Sequence, residues 1–340
     1  MPTSSQENPD NPTALQSKST TAKNTTDGSH DVTETDSKDT PTKSEEMQIF
    51  QNKLLSYIFG EPISKRQKLR ISSTDNLIDS LALEEFANFY GEIKMPEVAI
   101  VIAAYKEADN IGYVLSTLPK KVCGLDAKAI VVTDGEEDGT TKIVREMGHY
   151  GISAAINRGQ GAALRLGYQA ADTYGAKYII TADADGQTDP GDFDIMLEPI
   201  LKGEADFVNG SRRLGTSAST DVVRNTGVVF FAYLISTLTG TKVTDTANPM
   251  RAMPTSLSKT FTLTEHQFQA SELLISAIMS GAKFTEQPIN MKSRASGHSK
   301  KGSNLTYALN YARVVIRTFI RERKRVLKVS LPDEKPPSNR

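Results

Sequence analysis

From Glu97 onward, short apolar runs rich in Val and Ile alternate with stretches whose apolar residues recur at helical spacing. The runs Val98–Ala103, Ala129–Val132, Ile152–Ile156, Tyr178–Thr181 and Phe207–Val208 are predicted strands, and helices are predicted over about 108–118, 139–147, 160–174 and 190–202. Alternation of this kind requires crossover connections, so the predicted class is α/β: a mostly parallel sheet flanked by helices. Upstream, Ile49–Phe59 and Asp75–Tyr90 are amphipathic helix candidates. Capping the domain, pairing subunits into a homo-oligomer and holding a partner all remain open roles for them. Val228–Ser236 is apolar throughout but about half of the ~20 residues that a membrane span requires, which predicts a buried or interfacial helix. Thr306–Lys328 reads as a further amphipathic helix bearing Arg313, Arg317, Arg321, Arg323, Lys324 and Arg325. A basic helix of this type suits an anionic membrane surface or the cover of a domain, and the pattern does not choose between them.

The ends differ in composition from the middle. Residues 1–46 are dominated by Ser, Thr, Asn, Asp and Lys, have almost no aliphatic residue, and are predicted to be a disordered tail. They contain no apolar core of a secretory signal, and their acids argue against a transit peptide. The expected organisation is a tail over 1–46, a helical extension over 47–94, a single α/β domain over 95–328 and a disordered C-terminus over 329–340. A single cysteine, Cys123, excludes an internal disulfide and fits a reducing cytoplasm. A net charge of −1 gives no electrostatic case for nucleic acid as a partner.

Candidate chemistry falls at the ends of the strands, where an open α/β sheet binds its ligand. After the fourth strand, Asp183 and Asp185 stand one residue apart in DADGQ, with Gly186 and Pro190 marking a chain that has turned out of the sheet. The alternative for an isolated pair of this kind is a solvated acidic turn. The other strands end in Ala104-Tyr105-Lys106-Glu107, in Thr133–Thr140 and in Asn157–Leu164. Glu107 and Asp134 supply carboxylates able to accept from a nucleobase N–H or a ribose hydroxyl. Asp138 or Thr140 caps the following helix. The helix opening at Asn157–Gly161 is expected to turn free N–H groups towards a phosphate. Asp183, Asp185 and the amide oxygen of Gln187 suit Mg²⁺ or Mn²⁺ held against a diphosphate.

The series AYKE, TDGEEDGT, NRGQGAALR, DADGQTDP and NGSRR resembles the family 2 glycosyltransferases of GT-A fold, above all the dolichyl- and polyprenyl-phosphate mannosyl- and glucosyltransferases. It covers about residues 95–325. The resemblance implies a Rossmann-like GT-A domain with Ala104, Tyr105, Glu107, Asp134, Gly161, Asp183, Ala184 and Asp185 at the nucleotide. It places Asp183, Asp185 and Gln187 at the metal, with Asp185 in direct contact. Arg212 and Arg224 fall on the arginines that bind the lipid phosphate, Arg294 and Lys300 on the basic loop over the diphosphate, and Glu272 on a carboxylate of the acceptor site. Two departures stand out: the second loop reads Thr133-Asp134-Gly135-Glu136, losing one of the usual two aspartates and the serine of the usual Gly-Ser, and the acceptor motif reads Asp245-Thr-Ala-Asn-Pro-Met-Arg251.

The resemblance implies metal-dependent, inverting transfer of a hexose or N-acetylhexosamine from a GDP- or UDP-linked donor to polyprenyl phosphate. Such an acceptor brings an anionic nucleophile and needs positioning more than a base. A hydroxyl acceptor is the second reading, with Asp245 as its base; a non-catalytic nucleotide-binding scaffold is the third. Taken singly, Arg212, Arg224 and Arg294 read equally as surface ion pairs. The expected location is the cytoplasm, with the site mouth at the inner face of the cell membrane.

Overall fold

The computed structural model describes residues 65–135, 138–217, 222–292 and 305–330. In chain order the elements are α1 (Lys65–Tyr90), β1 (Val98–Ala104), α2 (Ala108–Thr117), β2 (Lys121–Val122), β3 (Leu125–Asp134), α3 (Thr140–Glu146), β4 (Tyr150–Ala154) and α4 (Gln160–Thr173). They continue with β5 (Tyr178–Asp183), α5 (Asp192–Leu201), β6 (Phe207–Ser217), α6 (Val222–Thr239), β7 (Arg251–Pro254), α7 (Thr255–Ser258), α8 (Gln269–Met279), β8 (Phe284–Met291) and α9 (Leu305–Ser330). The predicted tail over 1–46 and the helix around Ile49–Phe59 lie outside the described residues, as does the chain beyond Ser330.

The strands form one sheet in the order β4-β3-β1-β5-β7-β6-β8, with β2 closing a short antiparallel turn on β3. Pairing is parallel from β4 through β5 and between β6 and β8; β7 runs antiparallel to both of its neighbours. The mostly parallel sheet is therefore as expected. Both faces are covered, which explains why β1, β3 and β5 read as continuous apolar runs rather than alternating ones. On one face Ala99, Val101, Ile130, Val132 and Ile179 pack under α1, α4, α8 and α9. On the other, Val98, Ile100, Ile102, Val131 and Ile180 meet Ile111 and Leu115 of α2 and Phe193 and Met196 of α5.

Helix α1 is part of this core. Ile78, Ala82 and Phe86 are buried, and Phe86 packs among Tyr90, Tyr150 and Tyr174. Helix α6 buries Phe231, Ala232 and Ile235 while Val229, Phe230 and Tyr233 face outward. Among the described residues no helix is long and apolar enough to cross a membrane.

Four strands differ from expectation. The third lies two residues earlier, ending at Ala154, and Ile156 is exposed. β6 runs to Ser217 because its polar continuation pairs with β8, and β7 and β8 themselves carry no apolar alternation by which a strand is read.

The two readings of the C-terminal helix separate here. Tyr311, Val314, Val315, Thr318 and Glu322 of α9 are buried, and its arginines four residues apart turn towards carboxylates of the domain. Arg313 and Arg317 each stand 3.7 Å from Glu265. Arg321 pairs with Glu272 at 2.7 Å and with Glu322 at 2.9 Å, and Arg325 donates to the Thr260 carbonyl at 2.7 Å. The helix is a cover, and only its last turns carry solvated basic residues.

Glu272 is fully buried; one oxygen accepts from the Thr264 N–H and Arg321, the other from the Glu265 N–H. Glu272→Ala should lower unfolding free energy by about 3 kcal/mol, because it removes one of the two carboxylates on a partly buried guanidinium and leaves two loop N–H groups without their acceptor. Arg323→Ala, on the exposed side, should change it by under about 0.5 kcal/mol. Denaturant titration of the two variants checks this.

Candidate active site

Strand register assembles the site. Ala104 of β1 pairs with Thr133 of β3, Asp134 with Ala154 of β4, and Ala103 with Asp183 of β5, so these strands end on one edge. Thr181 and Asn209 both pair with Arg251, the first residue of β7. The segment before Arg251, and β6 beyond Asn209, therefore reach that same edge.

Contacts run along this edge from loop to loop. Asp138 accepts from the Ala108 N–H at 3.0 Å and from the N–H of Thr140 at 3.1 Å, joining the first loop to the second; it reaches the first N–H of α3 from the residue before the N-cap, which is Gly139. Glu107 accepts from the Asn110 side chain at 2.8 Å at the start of α2. Ala104 is buried and Tyr105 half-buried beside it. Asp134 is 2% exposed; one oxygen accepts from the Arg158 N–H at 2.8 Å and from the Gly159 N–H, while Oδ1 has no partner among the described residues. Burial raises its pKa against the lowering pull of those two N–H groups. Gly135 is required here, since it has φ +82° and a Cβ would lie 2.9 Å from the Asn157 nitrogen.

The start of α4 differs from the expected phosphate cradle. The N–H groups of Arg158 and Gly159 go to Asp134, and that of Gly161 donates to the His266 carbonyl at 2.8 Å. A Cβ on Gly161 would overlap the Glu265 carbonyl oxygen, so this glycine lets the 264–268 loop pack over the helix end. A distant loop has reached the orphan donors first.

Gln160 links the third loop to the fourth by donating to Asp183 at 2.9 Å. Asp183 is half-buried; Ala184 and Asp185 are buried. Gln187 donates its backbone N–H to Asp185 at 3.2 Å and its side-chain amide to the Lys292 carbonyl at 2.9 Å. Its amide nitrogen therefore ties the loop to the end of β8. Among the described residues no three His, Cys, Asp or Glu side chains gather into a closed metal centre. Two hard carboxylates at a strand end nevertheless fit a cation that fills its remaining positions with phosphate and water oxygens.

Beside Asp183 lies a buried ion pair. Arg212 donates to Asp245 through Nε at 2.6 Å and Nη2 at 2.8 Å, and Asp245 also accepts from the N–H groups of Ala247 and Asn248 at 3.1 and 3.2 Å. Burial opposes both charges. The mutual hydrogen bonds and Coulomb attraction outweigh it, holding Asp245 below the ordinary carboxylate range and Arg212 above its usual value. The charge of Asp183 adds to the shift on Arg212, which places the two in one electrostatic neighbourhood.

Under this pair, Glu286 accepts from Asn209 and from the hydroxyl of Thr244, each at 2.7 Å. Arg251 is buried and donates to the carbonyls of Asn248, Met250, Thr246 and Ala270, bracing the 245–251 loop from within. Sequence reasoning did not single out Gln160 or Glu286. Gln160 stood inside a quoted motif, whereas Glu286 lies on the unpredicted β8.

Arg212, Asp245, Asp183, Asp185, Gln160 and Asp134 thus share one edge. Glu272 stands apart, bound to the 264–265 backbone and Arg321. Asp245, expected as a base for a hydroxyl acceptor, is locked to Arg212 with a lowered pKa, which makes it a poor proton acceptor. Arg224 lies in the first turn of α6 with its side chain outside the described part, and Arg294 and Lys300 lie outside the described residues.

The pair generates an acid-sensitive stability. Because the folded pKa of Asp245 lies below its unfolded value of 3.8, its contribution is complete above that value and is lost as pH falls through the folded pKa. Asp245→Asn should cost about 3–5 kcal/mol near neutrality by leaving Arg212 buried and unpaired. The gap between wild type and variant should hold from about pH 7 to 5 and narrow below about pH 4. Urea unfolding across that range measures it.

Comparison with known proteins agrees with this architecture. The family model described as glycosyl transferase family 2 matches residues 99–261. A dolichyl-phosphate hexose transferase of Haloferax volcanii is 30% identical over 60% of this chain and 86% of its own length. A UDP-N-acetylglucosamine–dolichyl-phosphate N-acetylglucosaminyltransferase of Methanococcus voltae is 29% identical over 56% of this chain and 84% of its own. In fold, the chain superposes on glucosyl-3-phosphoglycerate synthase from Mycobacterium tuberculosis with a TM-score of 0.53 at 18% identity, covering 70% of this chain and 82% of that one. This chain belongs to glycosyltransferase family 2 and is a glycosyltransferase.

Proposed function

We propose that the enzyme transfers a hexose or N-acetylhexosamine from a nucleoside diphosphate sugar to the phosphate of a polyprenyl phosphate, with inversion at the anomeric carbon. The observation that carries this reading is the state of Asp245. A hydroxyl acceptor needs a base at the reacting oxygen, and the carboxylate placed to serve is bound on both oxygens and held deprotonated by Arg212. A phosphate monoester needs no such base, since it arrives with an anionic oxygen. The relatives from Haloferax volcanii and Methanococcus voltae, both named for dolichyl-phosphate transfer, support the same acceptor class.

In this reading Asp134 Oδ1, buried and without a partner, accepts from an N–H or O–H of the nucleoside, beside Glu107 on the neighbouring loop. Asp183 and Asp185 would hold a Mg²⁺ or Mn²⁺ ion, and Gln160 orients Asp183. That ion, when bound, supplies charge neutralisation for the leaving nucleoside diphosphate. Arg212, fixed by Asp245, directs its remaining N–H towards the acceptor phosphate, aided by Arg224 from α6, with Arg294 and Lys300 completing the cationic surround. An acceptor oxygen attacks C1 as its bond to the diphosphate breaks, and direct displacement inverts the centre. Catalysis here is positioning and charge stabilisation. The cytoplasmic face of the membrane is the place where such a lipid acceptor and a nucleotide sugar meet.

The test is a donor panel of UDP- and GDP-sugars assayed with polyprenyl phosphate and with the corresponding polyprenol. Transfer is expected with the phosphate alone, to be lost with chelator and restored by Mg²⁺ or Mn²⁺. Equal transfer to the polyprenol would overturn the acceptor assignment. Asp185→Asn should abolish turnover while leaving the melting temperature near wild type, because it removes one anionic ligand at constant volume. Arg224→Ala should raise the acceptor KM more than about tenfold with donor KM little changed, and Arg224→Lys should rescue only in part.

A further inference from the structure

The nucleotide end of the site is braced from outside the segment that matches the family. Helix α1 precedes residue 99, where that match begins. Two of its carboxylates, Asp75 and Asp79, lie one turn apart and converge on Arg158, whose side chain is 5% exposed. Arg158 donates through Nη2 to Asp79 at 2.7 Å and through Nη1 to the side chain and the carbonyl of Asp75, each at 3.3 Å. Asp75 also stands 3.7 Å from Arg165 and 3.1 Å from Nε2 of His266, the residue whose carbonyl takes the Gly161 N–H. The same Arg158 gives its backbone N–H to Asp134, and Gly159 follows it onto the same oxygen.

We infer that Asp75 and Asp79 are positioning residues for the nucleotide: by holding the Arg158 guanidinium they keep it off Oδ1 of Asp134, so that this oxygen stays presented to the donor. This rests on the nucleotide reading of Asp134 given above. The physical reason is competition for Asp134. Arg158 is close enough that its charge lowers the pKa of Asp134. A buried guanidinium released from α1 must find another carboxylate, and the unpartnered Oδ1 of Asp134 is within its electrostatic reach. The α1 carboxylates prevent that capture. They also fix the 157–161 turn, whose Gln160 supports Asp183, so one clamp serves both ends of the donor site.

The experiment measures binding of UDP and of GDP, each with Mn²⁺, to the full chain by calorimetry, for wild type, Asp79→Asn, Asp75→Asn and Asp79→Glu. Donor KM and kcat are measured alongside. Asp79→Asn and Asp75→Asn should weaken binding of the preferred nucleotide by about tenfold, within the usual range of couplings between sites. Donor KM should rise correspondingly while kcat at saturating donor and acceptor KM stay within about twofold, since the reacting atoms are untouched. Asp79→Glu should recover part of the loss. Arg158→Ala added to Asp79→Asn should return affinity towards wild type, because it removes the competing charge; a purely structural brace would show further loss instead. Nucleotide affinity unchanged in the aspartate variants would overturn this inference alone. Failure of the wild type to bind either nucleotide would overturn it together with the nucleotide reading. If Asp79→Asn fails to fold, Asp79→Glu and Asp75→Asn decide by the same criteria.

Discussion

A carboxylate with no exposed surface has to be neutralised, and the neutralisation of Asp245 by Arg212 organises this half of the molecule. The cost of burying both charges is recovered only with near-ideal geometry and full use of the remaining hydrogen-bonding sites. That requirement accounts for the surrounding pattern. Ala247 and Asn248 turn their N–H groups onto Asp245, Asn209 donates to its carbonyl, and Glu286 accepts from its N–H. Arg251 brings its own positive charge beneath the loop, where burial disfavours it and the nearby Asp245 charge partly offsets the penalty. Such a network adds little to stability compared with apolar packing. What it supplies is one geometry for Arg212 next to Asp183.

Asp134 follows the opposite logic. Its burial is incompletely compensated: one oxygen takes two backbone N–H groups and the other takes none, so its pKa rises where that of Asp245 falls. A half-satisfied buried carboxylate is costly in the free protein and gains most from a ligand that offers an N–H or O–H. Two aspartates on one sheet edge are thus specialised by their partners. Asp245 is closed to chemistry and holds a cation in place, while Asp134 remains open to a ligand.

The legibility of the chain follows the same physics. Strands β1, β3 and β5 were readable because both of their faces are buried, leaving an apolar run that little else produces. The polar loops after them were readable as a site because carboxylates and glycines interrupt those runs. β7 and β8 were not, since Arg251 and Glu286 point into polar networks and break any alternation. The expected phosphate-binding helix start failed for a related reason: sequence shows that the first turn of α4 has orphan donors but not that His266, about a hundred residues later, supplies the acceptor. The basic stripe of α9 was ambiguous in the same way. Spacing puts Arg313, Arg317, Arg321 and Arg325 near one face, and only the positions of Glu265, Glu272 and Glu322 show that this face turns inward.

The charge balance of the edge bears on the proposed chemistry. Among the described residues Asp134, Asp183, Asp185 and Asp245 gather there, against Arg212, already matched by Asp245, and Arg251, buried beneath the 245–251 loop. Such an edge repels a diphosphate and a phosphate monoester alike unless further cations join it. A divalent ion held by Asp183 and Asp185 would reverse the local sign beside them. The N–H groups of Arg212 not committed to Asp245, one of them 3.6 Å from the Met291 sulfur, would then meet an acceptor phosphate in a surround that favours its approach. In the proposed reaction a divalent cation bound with the donor would supply the positive potential that the anionic acceptor requires. Binding of the acceptor phosphate should therefore be weak without donor and cation, a linkage that arises from the carboxylates themselves.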